Sequence, residues 1–235
     1  MNTIELLKKI GKYKIFTFNE FVRLTGRSCS YCRLYLHRLK KKKLIFSIER
    51  GKYTLFDDSI VFSSLITVPS YITSLTAFRI YNFTEQLPNN IMIAVPKSRK
   101  KINFYGTDIS FFKIHDFWGY NKLNYRGSNI FIAEKEKSII DALLIKRISF
   151  DEIFKAVKTK DYDVDLLKRY AIKTKNKSLI KRLGYLLEIN GLNADELIYL
   201  IDNNYIPLDF NIKRRKGEKN KKWRLLINTK LYDNY

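Results

Sequence analysis

Apolar and polar positions near the start of the chain recur at helical spacing. Met1-Asn2-Thr3-Ile4-Glu5 leads into an amphipathic helix, and residues 18–24 form a second one. Thr17 is placed to cap that second helix by accepting a backbone N–H bond, and Gly26 punctuates the chain after it. Ser28 is a good cap for a third, longer helix that runs from Cys29 into the lysines at 40–43. On it, Cys29, Cys32, Leu36 and Leu39 fall at i, i+3, i+7 and i+10. They form one apolar stripe expected to pack on the preceding helix. After Leu44 the period shortens. Residues 45–48 and 53–56 are β-branched and aromatic, and Glu49-Arg50-Gly51-Lys52 between them reads as a hairpin turn.

From Ser59 onward the pattern alternates between both periods. Residues 60–66 form a short apolar helix or strand ended by Pro69, and Ser70 is expected to cap a helix over 71–81. Strands are predicted at 91–95, 101–104, 109–114 and 129–132, with turn signals at Pro96, Gly106 and Gly127. Helices are predicted at 138–145, 150–157, 165–174, 177–189 and 194–201. The fold class is therefore α+β. An N-terminal winged helix-turn-helix (1–57) precedes a mixed domain (58–235) with a small, largely antiparallel sheet and a helical bundle. That second domain closes with a basic loop at 213–222 and a final strand at 223–228.

Charge sharpens the first domain's meaning. Lys and Arg number 45 against 23 Asp and Glu, a net +22, and the pI is near 9.8. An excess this large repels itself in the free chain, and a polyanion removes that cost while counterions are released. Residues 1–58 carry 14 Lys and Arg against 5 Asp and Glu, so the excess is shared with the rest of the chain. No apolar run approaches the roughly 20 residues of a membrane span, and no signal peptide opens the chain, which points to the cytoplasm.

Catalytic signatures are missing. There is no Walker A loop, no G-x-G-x-x-G, no G-x-S-x-G and no H-E-x-x-H. Asp161, Asp163 and Asp165 alternate like a polar connector and helix cap. Cys29 and Cys32 have C-x-x-C spacing, yet only His37 and His115 are available to complete a zinc site. Both thiols lie on the stripe expected to be buried, where reduced Cys behaves as a small hydrophobe. Neither an enzyme, a metal nor a cofactor is expected.

Double-stranded DNA is the expected partner. Off the apolar stripe, Arg27, Ser28, Ser30, Tyr31, Arg33, His37, Arg38 and Lys41 face outward and supply phosphate and base-edge partners. Ser30, Tyr31, Arg33 and Arg38 are expected nearest the DNA, with Arg50 and Lys52 at the tip of the wing. Lys213, Arg214, Arg215, Lys216, Lys219, Lys221 and Lys222 form either a second phosphate-binding patch or a solvated loop. Asp141 stands inside an apolar helix and needs a partner, because an unpaired buried charge is costly.

Several segments resemble the AbiEi family. They are the N-terminal helices and hairpin, then Pro69-Ser70-Tyr71-Ile72-Thr73-Ser74-Leu75-Thr76-Ala77 leading into Tyr81-Asn82-Phe83. Further along come 133–141, where the family favours Ala-Glu-Pro-Glu-Lys-Ala and this chain has Lys135 at the proline position, then 181–188 and 223–228. The matches span nearly the whole chain in order. The resemblance implies an antitoxin that represses its own operon through the winged helix. Its C-terminal domain would counteract a nucleotidyltransferase toxin without obligatory contact. Homodimerisation, an effector and a toxin gene are left open. So are a stand-alone regulator, a protein-interaction module, a nuclease built from scattered acids, and an RNA-binding protein stacking bases on Phe104, Phe111 and Phe112.

Overall fold

The computed structural model describes residues 2–87, 89–115, 117–212 and 217–231, and they form a mixed α+β structure. The chain divides into two compact units. The first comprises 1–72, 89–117 and 121–132, and the second 73–88, 118–120 and 133–235.

The first unit opens with helix α1 (Thr3–Ile10), capped by the Asn2 side chain, and a short strand β1 (Phe16–Thr17). Helix α2 (Phe18–Thr25) starts with a full capping box: the Thr17 hydroxyl accepts from the Glu20 N–H, and the Glu20 carboxylate accepts from the Thr17 N–H. Gly26 ends it at φ 63, a left-handed conformation that glycine adopts without strain. Ser28 then caps α3 (Cys29–Lys41), accepting from Tyr31 N–H. Strands β2 (Phe46–Glu49) and β3 (Lys52–Thr54) pair antiparallel across a turn with Gly51 at φ 79, and β1 adds to the far side of β3. These elements enclose one core of Leu6, Ile10, Phe16, Phe21, Cys32, Leu36, Leu39 and Ile45. Each large apolar side chain buried there contributes roughly 1.5–3 kcal/mol.

The stripe on α3 is shorter than expected. Cys32 is buried and Cys29 exposed. Cys29 is the first residue of the helix, at its exposed N-terminal end.

After the four-residue helix α4 (Ile60–Ser63), the first unit carries a six-stranded sheet in the order β6-β7-β5-β4-β9-β8. Its strands are β4 (Tyr71–Ile72), β5 (Asn90–Val95), β6 (Ile102–Phe104), β7 (Thr107–Lys113), β8 (Tyr120–Tyr125) and β9 (Ser128–Ala133). The expectation of a largely antiparallel sheet is corrected to a mixed one: β6–β7 and β4–β5 pair antiparallel, but β5 runs parallel to β7 along its whole length, and β4 runs parallel to β9. Adjacent strands in sequence suggested hairpins. The β6–β7 hairpin does form, with β6 at the edge, but β7 then lies beside β5 in the parallel sense. A second correction falls on 71–81. Tyr71 and Ile72 are fully buried strand residues, and Ser70 donates its hydroxyl to Ser64 O rather than capping a helix. Pairing with β5 and β9 outweighs the local cap signal.

The second unit is helical, with α5 (Ser74–Ile80), α6 (Lys135–Ile145), α7 (Phe150–Lys158), α8 (Val164–Lys173) and α9 (Lys177–Ile189). Helix α6 packs against the other four, and its residues 136–143 are all buried. Asp141 is completely buried there, ion-paired with Lys137 one turn earlier and accepting from the Thr73 hydroxyl at 2.7 Å. The segment expected as a helix at 194–201 is a 3-10 helix (Asp195–Leu200). A small sheet closes the unit, with β10 (Ile206–Pro207) parallel and β11 (Glu218–Asn220) antiparallel to β12 (Leu225–Ile227).

Candidate nucleic-acid interface

Helix α3 is held from one side only. Cys32, Leu36 and Leu39 turn inward, and the Cys32 thiol lies 3.2 Å from the Thr25 hydroxyl on α2. This fixes the rotation of the helix about its axis. At 3.6 residues per turn, the positions opposite the buried stripe are Ser30, Leu34, His37 and Lys41, and all four are exposed. Tyr31, Arg33 and Arg38 are exposed too. Arg33 and Arg38 nonetheless stand about 140° apart around the helix, so they occupy opposite flanks. Arg33 leans over the Phe18 ring at 5.6 Å, and Arg27 over the Tyr31 ring at 5.8 Å.

The surface is cationic without internal compensation. Between Glu20 and Glu49 the sequence has no carboxylate at all, while eight Arg and Lys side chains fall in that stretch. Among the described residues, none of Arg27, Arg33, Arg38, Lys41 and Arg50 forms an ion pair. Leu34, half-exposed at 50%, is an apolar side chain in the middle of this face. Sequence reasoning passed over it, and the acid-free run was the legible signal that went unused.

The hairpin divides its two expected contacts. Arg50 is exposed at the turn. Lys52 instead donates to Ile66 O at 2.8 Å and pairs with Glu49 at 3.0 Å, half-buried against the underside of the hairpin. Arg99 completes this clasp, bonded to the Glu49 carboxylate and to Ile66 O. Burial raises the Glu49 carboxyl, but the hydrogen bonds and charges of Arg99 and Lys52 outweigh it and leave its pKa below the ordinary 4.5. The strand aromatics are occupied as well: Phe104 is buried against Phe62, and Phe111 lies beneath Arg99 at 4.9 Å.

Of the basic tail, Lys213, Arg214, Arg215 and Lys216 lie outside the described residues. In the second unit Lys222 pairs with Glu188 at 2.6 Å and Asp195 at 3.0 Å, and these hydrogen bonds raise its pKa. Lys219 sits 5.5 Å over the Tyr205 ring, and Lys221 is exposed. Two of the three described lysines are therefore engaged within the fold.

Among the described residues, no group of three His, Cys, Asp or Glu is placed to hold a metal ion. No helix there is long and apolar enough to cross a membrane. Neither a family model nor a curated protein matches the chain.

Proposed function

We propose that the chain is a sequence-specific winged-helix DNA-binding regulator of the AbiEi antitoxin type, which represses its own operon by occupying the promoter. The observation that carries the DNA-binding part is the outward face of α3. It is an acid-free helix, capped by Ser28 and rotationally locked by its buried stripe, set between a glycine turn and a hairpin that exposes Arg50. The order α1-β1-α2-α3-β2-β3 supports this reading, in which α3 would be the recognition helix and β2–β3 the wing. The antitoxin part rests on the sequence resemblance alone, and a nucleotidyltransferase toxin is the functional partner it implies.

In this proposal α3 lies in the major groove. Ser30 and His37 offer hydrogen bonds to base edges, and Leu34 offers an apolar surface suited to a thymine methyl. Lys41 and Arg50 reach phosphates, with Arg33 and Arg38 gripping from opposite flanks. Arg33→Ala and Arg38→Ala are each expected to weaken binding to the operator by about 1–3 kcal/mol if they read bases. Fluorescence anisotropy on a labelled duplex checks this. Wild-type affinity in both variants would take α3 out of the groove.

A further inference from the structure

The flank of α3 that carries Arg38 borders a cleft of about 480 Å³ beside the N-terminal turn of α1. That is within the roughly 300–1,000 Å³ of ordinary small-molecule sites. Arg27, Arg38 and Lys42 line it, and no carboxylate does. Leu6 and Leu39, both buried, form an apolar part of the wall. Tyr31, 47% exposed, presents an aromatic ring to the same space. A hydrogen bond of 2.9 Å between the Thr3 and Tyr35 hydroxyls ties α1 to α3 across the cleft.

Positions 31, 38 and 42 are seven and four apart, so they share one flank of the helix. Tyr31 to Lys42 spans roughly 16 Å of helix axis. At one end is the Tyr31 ring, with the Arg27 guanidinium 5.8 Å over it. At the other are Arg38 and Lys42, which form no ion pair among the described residues. The two ends match a ligand with a base at one end and a polyphosphate at the other. Planar bases stack on aromatic rings whatever their identity, and charge-assisted hydrogen bonds hold phosphate oxygens.

We propose that this cleft binds a nucleoside polyphosphate, with its base on Tyr31 and its phosphates on Arg38 and Lys42. The site requires no duplex and so goes beyond the function proposed above. One consequence does rest on that function. Tyr31 and Arg38 belong to the DNA-facing surface as well, so bound nucleotide and operator would each weaken the other by the same factor.

Isothermal titration of the full chain with ATP at physiological ionic strength, without duplex, tests the site itself. One saturable site per chain is expected, weakened about tenfold or more by Arg38→Ala and by Lys42→Ala. Tyr31→Ala should weaken ATP binding while leaving inorganic pyrophosphate binding nearly unchanged. Lys12→Ala, which removes the same charge from a surface away from the cleft, should leave ATP binding as it is. Equal weakening by Lys12→Ala and Arg38→Ala would reduce the effect to net charge and overturn the proposal. So would several weak sites per chain, or pyrophosphate binding as tightly as ATP. Thermal unfolding of each variant separates a lost site from a lost fold.

Discussion

A methyl group on Gly184 would lie 2.1 Å from the Trp223 ring, far inside contact distance. Trp223 is completely buried, and its indole N–H donates to Glu188 one turn further along α9 at 2.8 Å. Next to Gly184 on the same helix, Arg182 donates to the carbonyls of Pro207 and Leu208, where burial lowers its pKa to about 10 although Asp209 acts the other way. The adjoining Lys181 reaches Asp202 at 2.6 Å. The segments at 181–188 and 223–228 therefore meet in one structural joint. Gly184→Ala is expected to cost about 1–3 kcal/mol or more through overpacking, read as a lower Tm, with Gly184→Ala/Trp223→Leu partly restoring it. An unchanged Tm would mean Trp223 does not sit against Gly184. At this scale the caps at Thr17 and Ser28 and the turn at Gly26 were legible, because each acts within three or four residues. The exposure of Cys29 and the inward turn of Lys52 were not, since both depend on what lies overhead.

The hairpin is held as an element by a clasp that its own sequence does not reveal. Glu49 binds Lys52 within the hairpin, but Arg99 and the Ile66 carbonyl come from segments far along the chain. Since the pKa of Glu49 is depressed by folding, its contribution is present above the unfolded value of 4.5 and is lost as pH falls through the lower folded value. Glu49→Gln should therefore lower stability at neutral pH, and the gap from wild type should close in acid below pH 4.5. Urea unfolding of both proteins across pH 3–7 measures it. A gap that stays constant through that window would remove the clasp's electrostatic role. Helices were the legible elements, as α7 to α9 each carry an apolar period, and α6 reads as a helix apolar on most of its surface. Strands β1, β4 and β10 are two residues long and β8 is largely polar, so neither offers an alternation to detect. The parallel pairing of β5 with β7 is set by the crossover and not by either strand's own residues.

At the scale of the whole molecule, a net charge of +22 draws any polyanion, and attraction of that kind carries no sequence information. In the function proposed above, specific occupation of an operator would come instead from the acid-free face of α3. The two contributions separate by salt. Phosphate contacts weaken steeply as salt rises, by about 10³–10⁵ between 50 and 200 mM for six to ten contacts, whereas base contacts persist as a ratio between sites. The most direct test is a nuclease footprint on the DNA upstream of the chain's own gene, at physiological salt with excess competitor DNA. A discrete protected stretch, lost in Arg33→Ala, is the expected result. Uniform protection along the fragment that vanishes as salt is raised would contradict sequence-specific binding through α3.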